Sequence, residues 1–139
     1  MNAQEMKDAA RRWIFGVWDG ADYSLIGEMT SEGYTFTLPR DVRVAGADLP
    51  NLVEGYRTSI PDLRNTIHEQ VVDGNVVVTR GTTLGTNTGP FGDLPPTGKP
   101  ITCDWVMFTR FDGDRIAGDF EIFDEFGVMV TMGAVPGGG

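Results

Sequence analysis

The hydrophobic pattern of this 139-residue chain changes its period at Pro61. Before this proline, apolar residues recur at the three- and four-residue spacing of a helix, as in Met6, Ala10, Trp13 and Val17. After it, apolar and polar residues alternate, which is the pattern of strands with two different faces. Helices followed by long alternating strands predict a single α+β domain, with the helices packed on one face of a curved antiparallel sheet.

Three helices are predicted before Pro61. Asn2 and Glu5 have the spacing of a capping box, which starts the first helix, and Asp19-Gly20 ends it. Asp48 caps the third helix, and Pro61 stops it because proline cannot continue a helix. The predicted elements of this half are helices over 2–19, 23–29 and 48–60, a short strand over 34–37 and a loop over 39–47.

The second half is predicted to be a meander of four strands. Asp73-Gly74 and Asp112-Gly113 suit tight turns, because glycine tolerates positive φ. The predicted strands cover residues 62–72, 75–87, 101–111 and 115–124, with a Gly/Pro loop over 88–99 that can serve as a rim or lid. A sheet closed by helices on its concave side encloses an apolar pocket, where ligand sites are favoured. The domain spans 1–133, and 134–139 is expected to be a flexible tail.

The end of the last strand contains the candidate acid. Alternation gives two sets of side chains, Phe120, Ile122 and Asp124 on one face and Asp119, Glu121 and Phe123 on the other. If the first set faces inward, Asp124 lies among apolar groups and its pKa rises, so that it can exchange protons near neutrality. The alternative is that Asp124 caps the strand or starts a turn into Phe126-Gly127.

Composition excludes several classes of partner. The net charge of −9, with few and scattered basic residues, weighs against nucleic acid and against anionic membranes. No apolar run is long enough to span a membrane, and the first residues lack the apolar core of a signal peptide, so a cytoplasmic location is expected. The single cysteine, Cys103, excludes an internal disulfide, and the single histidine leaves no visible metal-ligand cluster.

Several segments together resemble the SnoaL-like polyketide cyclases, over roughly residues 10–133. The segments are Gly55-Tyr-Arg with Ile60-Pro-Asp-Leu63, Val71 to Arg80, Gly85-Thr-Asn-Thr-Gly89 with Pro95-Pro-Thr-Gly98-Lys, and Arg110 to Asp124. The resemblance implies the cone fold of nuclear transport factor-like proteins. It also implies an enzyme that needs no cofactor or metal and closes the ring of a small hydrophobic polyketide-like substrate by an intramolecular aldol condensation.

In that chemistry one aspartate is the general acid and base, and Asp124 matches it. It would remove a proton flanked by carbonyl groups and then protonate the new alkoxide. The chain departs from the family at three places: Asn87 replaces a frequent histidine, Thr37 or Phe36 replaces another, and Phe120 replaces a tryptophan. These departures alter the hydrogen bonds available to a substrate.

Other residues can support the chemistry. His68 suits proton transfer, and Asn87 can donate to an oxyanion, so both are predicted catalytic residues beside Asp124. For each, a structural role is the alternative. The predicted substrate-binding residues are Tyr34, Phe36, Tyr56, Asp104, Phe120 and Ile122.

Other functions remain open on the same fold. An isomerase needs a base near Leu38 or Asp41, an epoxide hydrolase needs an Arg-x-Asp pair such as Arg110-Phe-Asp112, and a dehydratase needs an inward His68. A non-catalytic ligand-binding protein is a further alternative.

The sheet face away from the helices must be solvated or covered. A homodimer through this outer face is therefore expected. The covering surface would be Phe123 with either Trp105, Met107 and Thr109 or the residues that alternate with them.

Overall fold

A computed structural model describes residues 1–133; the predicted tail, 134–139, lies outside the described residues. The helices are α1 (Ala3–Ile14), α2 (Ser24–Met29), α3 (Leu49–Ser59) and α4 (Glu125–Thr131), and a π-helical turn, Phe15–Asp19, continues α1. The strands are β1 (Thr30–Leu38), β2 (Val42–Ala45), β3 (Arg64–Asp73), β4 (Val76–Thr86), β5 (Pro100–Asp112) and β6 (Arg115–Phe123).

The six strands form one curved sheet in the order β2-β1-β6-β5-β4-β3. Neighbouring strands are antiparallel except β1 and β6, which pair in parallel. The predicted α+β class is confirmed. No helix within residues 1–133 is long and apolar enough to cross a membrane.

Local sequence signals account for most of the elements. The Asn2 side chain accepts a hydrogen bond from the Glu5 amide, and the Glu5 carboxylate accepts one from the Asn2 amide, which completes the predicted capping box.

Two elements were not predicted. Strand β2 has only four residues, and it lies in the segment that was predicted to be a loop. Helix α4 begins directly after Asp124, which is its N-cap.

The core lies between the sheet and the helices α1 and α3. Trp13, Ile14 and Val17 of the first helical segment and Leu49 and Val53 of α3 are each at most 1% exposed. Burial of each such side chain contributes roughly 1.5–3 kcal/mol relative to leaving it in water. The sheet face beneath these helices is called the inner face, and the opposite one the outer face.

One extra residue in β6 determines which of its side chains reach the inner face. Phe111 of β5 pairs with Ile116, but the next pair is Arg110 with Gly118, so Ala117 has no partner and forms a β-bulge. A regular ladder keeps opposed residues on the same face, and a shift of one residue moves every later side chain to the other face.

Beyond the bulge, β6 follows the inner residues of β5. Thr109 pairs with Asp119, Met107 with Glu121 and Trp105 with Phe123. The three β5 residues are buried against the helices, so Asp119, Glu121 and Phe123 face inward as well.

The prediction that Phe120, Ile122 and Asp124 face inward is therefore wrong. The Phe120 ring contacts Phe108 edge-on on the outer face, with 6.3 Å between ring centroids, and Ile122 is 52% exposed.

Candidate functional site

An apolar cavity opens between the inner face of the sheet and the helices. It measures about 70 Å³ as the space open to the centre of a water molecule. Apolar cavities with a few polar groups are favoured sites for small organic ligands. The wall comprises Ile14, Trp18, Phe36, Leu38, Leu52, Tyr56, Ile60, Leu63, Asn65, Thr83, Ile101, Cys103, Trp105, Met107, Glu121, Phe123 and Val128.

Aromatic rings from different elements form much of this wall. Trp18, in the π-helical turn, lies 5.9 Å from Phe36 and 6.2 Å from Tyr56, measured between ring centroids. Trp105 lies flat against β4 because residue 81 is glycine: a Cβ there would lie 2.3 Å from the Trp105 ring. The rings are thus fixed by packing, and the cavity is preformed.

The amide and hydroxyl groups in the wall are largely engaged by other protein groups. The Asn65 side-chain oxygen accepts hydrogen bonds from the Trp105 indole and the Thr83 hydroxyl. The Asn65 side-chain nitrogen donates to Asp19 at 2.7 Å. Burial raises the pKa of the Cys103 thiol to about 12, so this sulfur stays protonated and is a poor nucleophile.

Glu121 is not engaged in this way. It is the one Asp or Glu among the residues that line the cavity, and no residue within 1–133 donates a hydrogen bond to its carboxyl group. The side chain keeps partial exposure because it borders the cavity, while protein surrounds it on its other sides. Burial, with a further contribution from the charge of Asp119, raises the pKa of Glu121 to about 8.

Asp119 lies on the same face as Glu121, two residues earlier, but deeper in the core. Its carboxylate accepts hydrogen bonds from the Trp13 indole (2.8 Å), the Tyr34 hydroxyl (2.5 Å) and the Thr109 hydroxyl (2.7 Å). Burial raises the pKa of Asp119, and these three hydrogen bonds oppose the rise because they stabilise the charged form. The two acids therefore differ: Asp119 is fully bonded within the protein, whereas Glu121 is open to a ligand.

A family model described as SnoaL-like polyketide cyclase matches residues 8–131 of the chain. The chain belongs to the SnoaL-like polyketide cyclase family. The resemblance inferred from the sequence motifs is thereby confirmed.

Solved structures with the same fold include other SnoaL-like proteins. AclR from Streptomyces galilaeus, provisionally described as a hydroxylase, has 24% identity and a TM-score of 0.86, over 98% of this chain and 85% of its own. A protein from Acidithiobacillus ferrooxidans, provisionally described as a polyketide cyclase, has 24% identity and a TM-score of 0.82, over 96% of this chain and 99% of its own. IdmH from Streptomyces antibioticus, with the same provisional description, has 20% identity and a TM-score of 0.79, over 94% of this chain and 99% of its own. At these identities the likeness establishes the fold alone. The comparison with curated proteins gave no significant match.

In this SnoaL-like protein Asp124 lies outside the cavity wall. Its side chain is exposed and accepts a hydrogen bond from the Gly127 amide at 3.0 Å, as the N-cap of α4. The predicted inward position is wrong, and the alternative, a capping role at the end of the strand, is confirmed. The physical reason is the bulge at Ala117, which inverts the facing of the strand.

Asn87 also has a structural position. It is 1% exposed and absent from the cavity wall. Its side-chain nitrogen donates to Ser59 and to the Gly89 carbonyl, and its side-chain oxygen accepts from the backbone and hydroxyl of Thr97. These bonds tie the loop 88–99 to the end of α3, so the amide is not free to donate to an oxyanion in the cavity.

His68 and Asp104 lie on the outer face. His68 is the extra residue of a second bulge, between the pairs Ile67–Gly81 and Glu69–Arg80. Its Nε2 is 2.8 Å from the Thr82 hydroxyl, which donates to Asp104 at 2.7 Å. The expectation that these two side chains line the pocket is therefore wrong.

The predicted substrate-binding residues divide into three groups. Phe36 and Tyr56 line the cavity, as expected. Tyr34 is buried beside the cavity, where its hydroxyl is bound to Asp119. Phe120 and Ile122 lie on the outer face, because they follow the bulge. Asp119 and Glu121 belong to the other set of the alternating pattern, and their pairing with Thr109 and Met107 of β5 places them inside.

The geometry does not favour the isomerase, epoxide hydrolase or dehydratase alternatives. Asp41 is exposed and pairs with Arg43 at 2.8 Å, away from the cavity. Arg110 and Asp112 are exposed. His68 lies on the outer face, as described above, so none of the charged groups these reactions would need borders the cavity.

Replacement of Glu121 by glutamine is expected to change how stability depends on pH. The pKa of Glu121 is raised from an ordinary value of 4.5 to about 8, so between these values the unfolded chain releases a proton that the folded chain retains. The free energy of unfolding of the wild type should therefore fall as pH rises through this window and level off above it. The decrease in the free energy of unfolding attributable to Glu121 should total about 2–5 kcal/mol, at about 1.4 kcal/mol per unit of pKa difference between the folded and unfolded states.

Urea denaturation of the wild type and Glu121→Gln at several pH values from 5 to 9 measures this difference. The variant lacks the titrating group, so it should become the more stable of the two at the alkaline end. Parallel stability curves for the two proteins would show that Glu121 has no raised pKa.

Proposed function

We propose that this protein is a cofactor-independent cyclase that closes the ring of a small hydrophobic polyketide-like substrate by intramolecular aldol condensation, with Glu121 as general acid and base. The observation that carries the proposal is one carboxyl group, without a hydrogen-bond donor in residues 1–133, at the wall of an otherwise apolar cavity. Family membership supports the reaction class.

The reaction needs one proton to move twice. Ionised Glu121 takes a proton from the carbon between two carbonyl groups, and the resulting enolate carbon attacks a second carbonyl of the same molecule. A carbon–carbon bond forms, the attacked carbonyl oxygen becomes an alkoxide, and the protonated Glu121 returns the proton to it. An acid whose pKa lies near the working pH serves both steps, because neither protonation state is strongly disfavoured.

The apolar wall contributes by holding the chain of the substrate and by excluding water from the enolate. Trp18, Phe36 and Phe123 provide flat apolar surfaces in the wall that Glu121 shares. Asp119 contributes at a distance, since its charge and the burial of the site disfavour ionisation of Glu121.

Base activity can be tested without the natural substrate. In D₂O, the wild type should accelerate deuterium incorporation next to the carbonyl of 2-tetralone, a bicyclic ketone, as followed by proton NMR. Glu121→Gln should lower this rate by about 10²–10⁴-fold, because the base is lost. The wild-type rate should rise with pH through an apparent pKa near 8.

Asp124→Asn is the matched control, since it removes a carboxylate that lies outside the cavity. It should retain the exchange activity to within a few-fold. Loss of exchange activity in Asp124→Asn, with activity retained in Glu121→Gln, would contradict the proposal and identify Asp124 as the catalytic acid and base. Tight binding of the ketone with no acceleration of exchange by the wild type would instead identify a ligand-binding protein.

We also propose that two copies pair through the outer face of the sheet. Val78, Val106, Phe108, Phe120 and Ile122 form an apolar patch across three adjacent strands, with Phe108 42% and Ile122 52% exposed. Arg80 and Arg110 lie on the same face as Asp104. A two-fold rotation can place the arginines of one copy opposite the aspartates of the other. Phe123, Trp105, Met107 and Thr109 face inward, so the expected place of Phe123 on this surface is wrong, and of the two expected β5 sets it is the alternating one, with Val106 and Phe108, that lies on the outer face.

Ile122→Glu should convert the dimer into a monomer, because it buries an unpaired charge in the proposed interface. Sedimentation velocity measures the state, and Val42→Glu is the control, since Val42 is 48% exposed on β2, where it pairs with Leu38 of the inner face. A wild type that sediments as a monomer at all accessible concentrations would contradict the proposed pairing.

A further inference from the structure

The Tyr56 ring is fixed by aromatic neighbours from three separate elements. Its centroid lies 6.2 Å from Trp18 in the π-helical turn, 5.6 Å from Phe91 in the loop 88–99 and 6.1 Å from Phe123 in β6, the last at an interplanar angle of 87°. Such contacts restrict the ring to one orientation. The phenol therefore has a defined position in the wall of the cavity that Glu121 also lines.

The Tyr56 hydroxyl differs from those of the other two tyrosines. The Tyr23 hydroxyl donates to Glu54, and the Tyr34 hydroxyl donates to Asp119. The Tyr56 hydroxyl makes no hydrogen bond to any residue of the described range 1–133. The Tyr56 side chain is half-buried and its hydroxyl keeps some exposure, so a ligand or solvent atom in the cavity can be the partner that satisfies it.

The charges around this hydroxyl fix its protonation state. Burial, followed by the nearby Glu121 and Glu125 carboxylates, raises the pKa of Tyr56. The phenol thus remains protonated throughout the neutral range. It can donate a hydrogen bond to an acceptor on a ligand.

We propose that Tyr56 is a second catalytic residue, whose phenol donates a hydrogen bond to the substrate carbonyl oxygen on which negative charge develops when Glu121 removes the neighbouring proton. The inference rests on the proposed function of the cavity. A fixed, neutral donor in a water-excluded wall stabilises an enolate oxygen more than it stabilises the uncharged carbonyl, which is the requirement for catalysis.

A ketone probe tests the donation directly, without turnover. 2-Acetylnaphthalene with a ¹³C-labelled carbonyl has an acceptor and no donor, and isotope-edited infrared spectroscopy reports its carbonyl stretch when bound. In Tyr56→Phe, which keeps the packed ring, the stretch should move to higher frequency, toward its value in an apolar solvent. The affinity for the ketone should fall by about 5–30-fold, as expected for one lost hydrogen bond.

Two controls separate donation from packing. The affinity for 2-isopropylnaphthalene, a hydrocarbon of similar shape, should not change in Tyr56→Phe. Tyr23→Phe removes a hydroxyl that is bonded to Glu54, so it should leave both the frequency and the affinities unchanged. Thermal denaturation of each variant verifies that it is folded.

An unchanged carbonyl frequency in Tyr56→Phe would overturn the inference, as would an equal loss of affinity for ketone and hydrocarbon. In the 2-tetralone exchange assay, Tyr56→Phe should lower the rate by about 10–10³-fold. If exchange is never accelerated but the frequency shift is present, the proposed cyclase function fails while the hydrogen-bond donation by Tyr56 stands.

Discussion

The β-bulge at Ala117 determines what kind of cavity this protein has. The bulge inserts one residue opposite the Arg110–Phe111 step of β5. As a result, Asp119 and Glu121 occupy two successive inward-facing positions of β6. Without it, apolar side chains of β6 would occupy those positions, and the cavity wall would have no acid. Three donors offset the cost of burying Asp119, but no donor within residues 1–133 offsets that of Glu121. That difference makes one acid a structural anchor and the other a reactive group.

The polar groups of the sheet differ between the cavity and the outer face. Inside, several polar groups are bonded to one another, as in the set around Asn65. Outside, His68 and Asp104 are linked through Thr82, on the face opposite the apolar cavity. The chemistry supported by the structure therefore depends on a small number of free groups in an apolar wall, rather than on a cluster of charges.

Much of the fold could be predicted from the sequence, because it depends on local signals: helical periodicity before Pro61, alternation after it, and the two Asp-Gly turns. The motifs also identified the family, and they led to Phe36 and Tyr56 in the wall. The facing of β6 could not be predicted. Alternation yields two sets of side chains without saying which is inside, and Ala117 has no side-chain feature that marks a bulge. Their hydrophobicity favours Phe120 and Ile122 as the inward-facing residues, but both lie on the outer face, which is also apolar.

The central claim is that Glu121 is an acid held inside an apolar cavity and largely protonated at neutral pH. A ¹³C NMR titration of the glutamate side-chain carboxyl groups, with the Glu121 signal assigned by its absence in Glu121→Gln, measures this most directly. The account predicts one glutamate resonance with a midpoint near 8. A Glu121 midpoint near the ordinary glutamate value of 4.5 would contradict it.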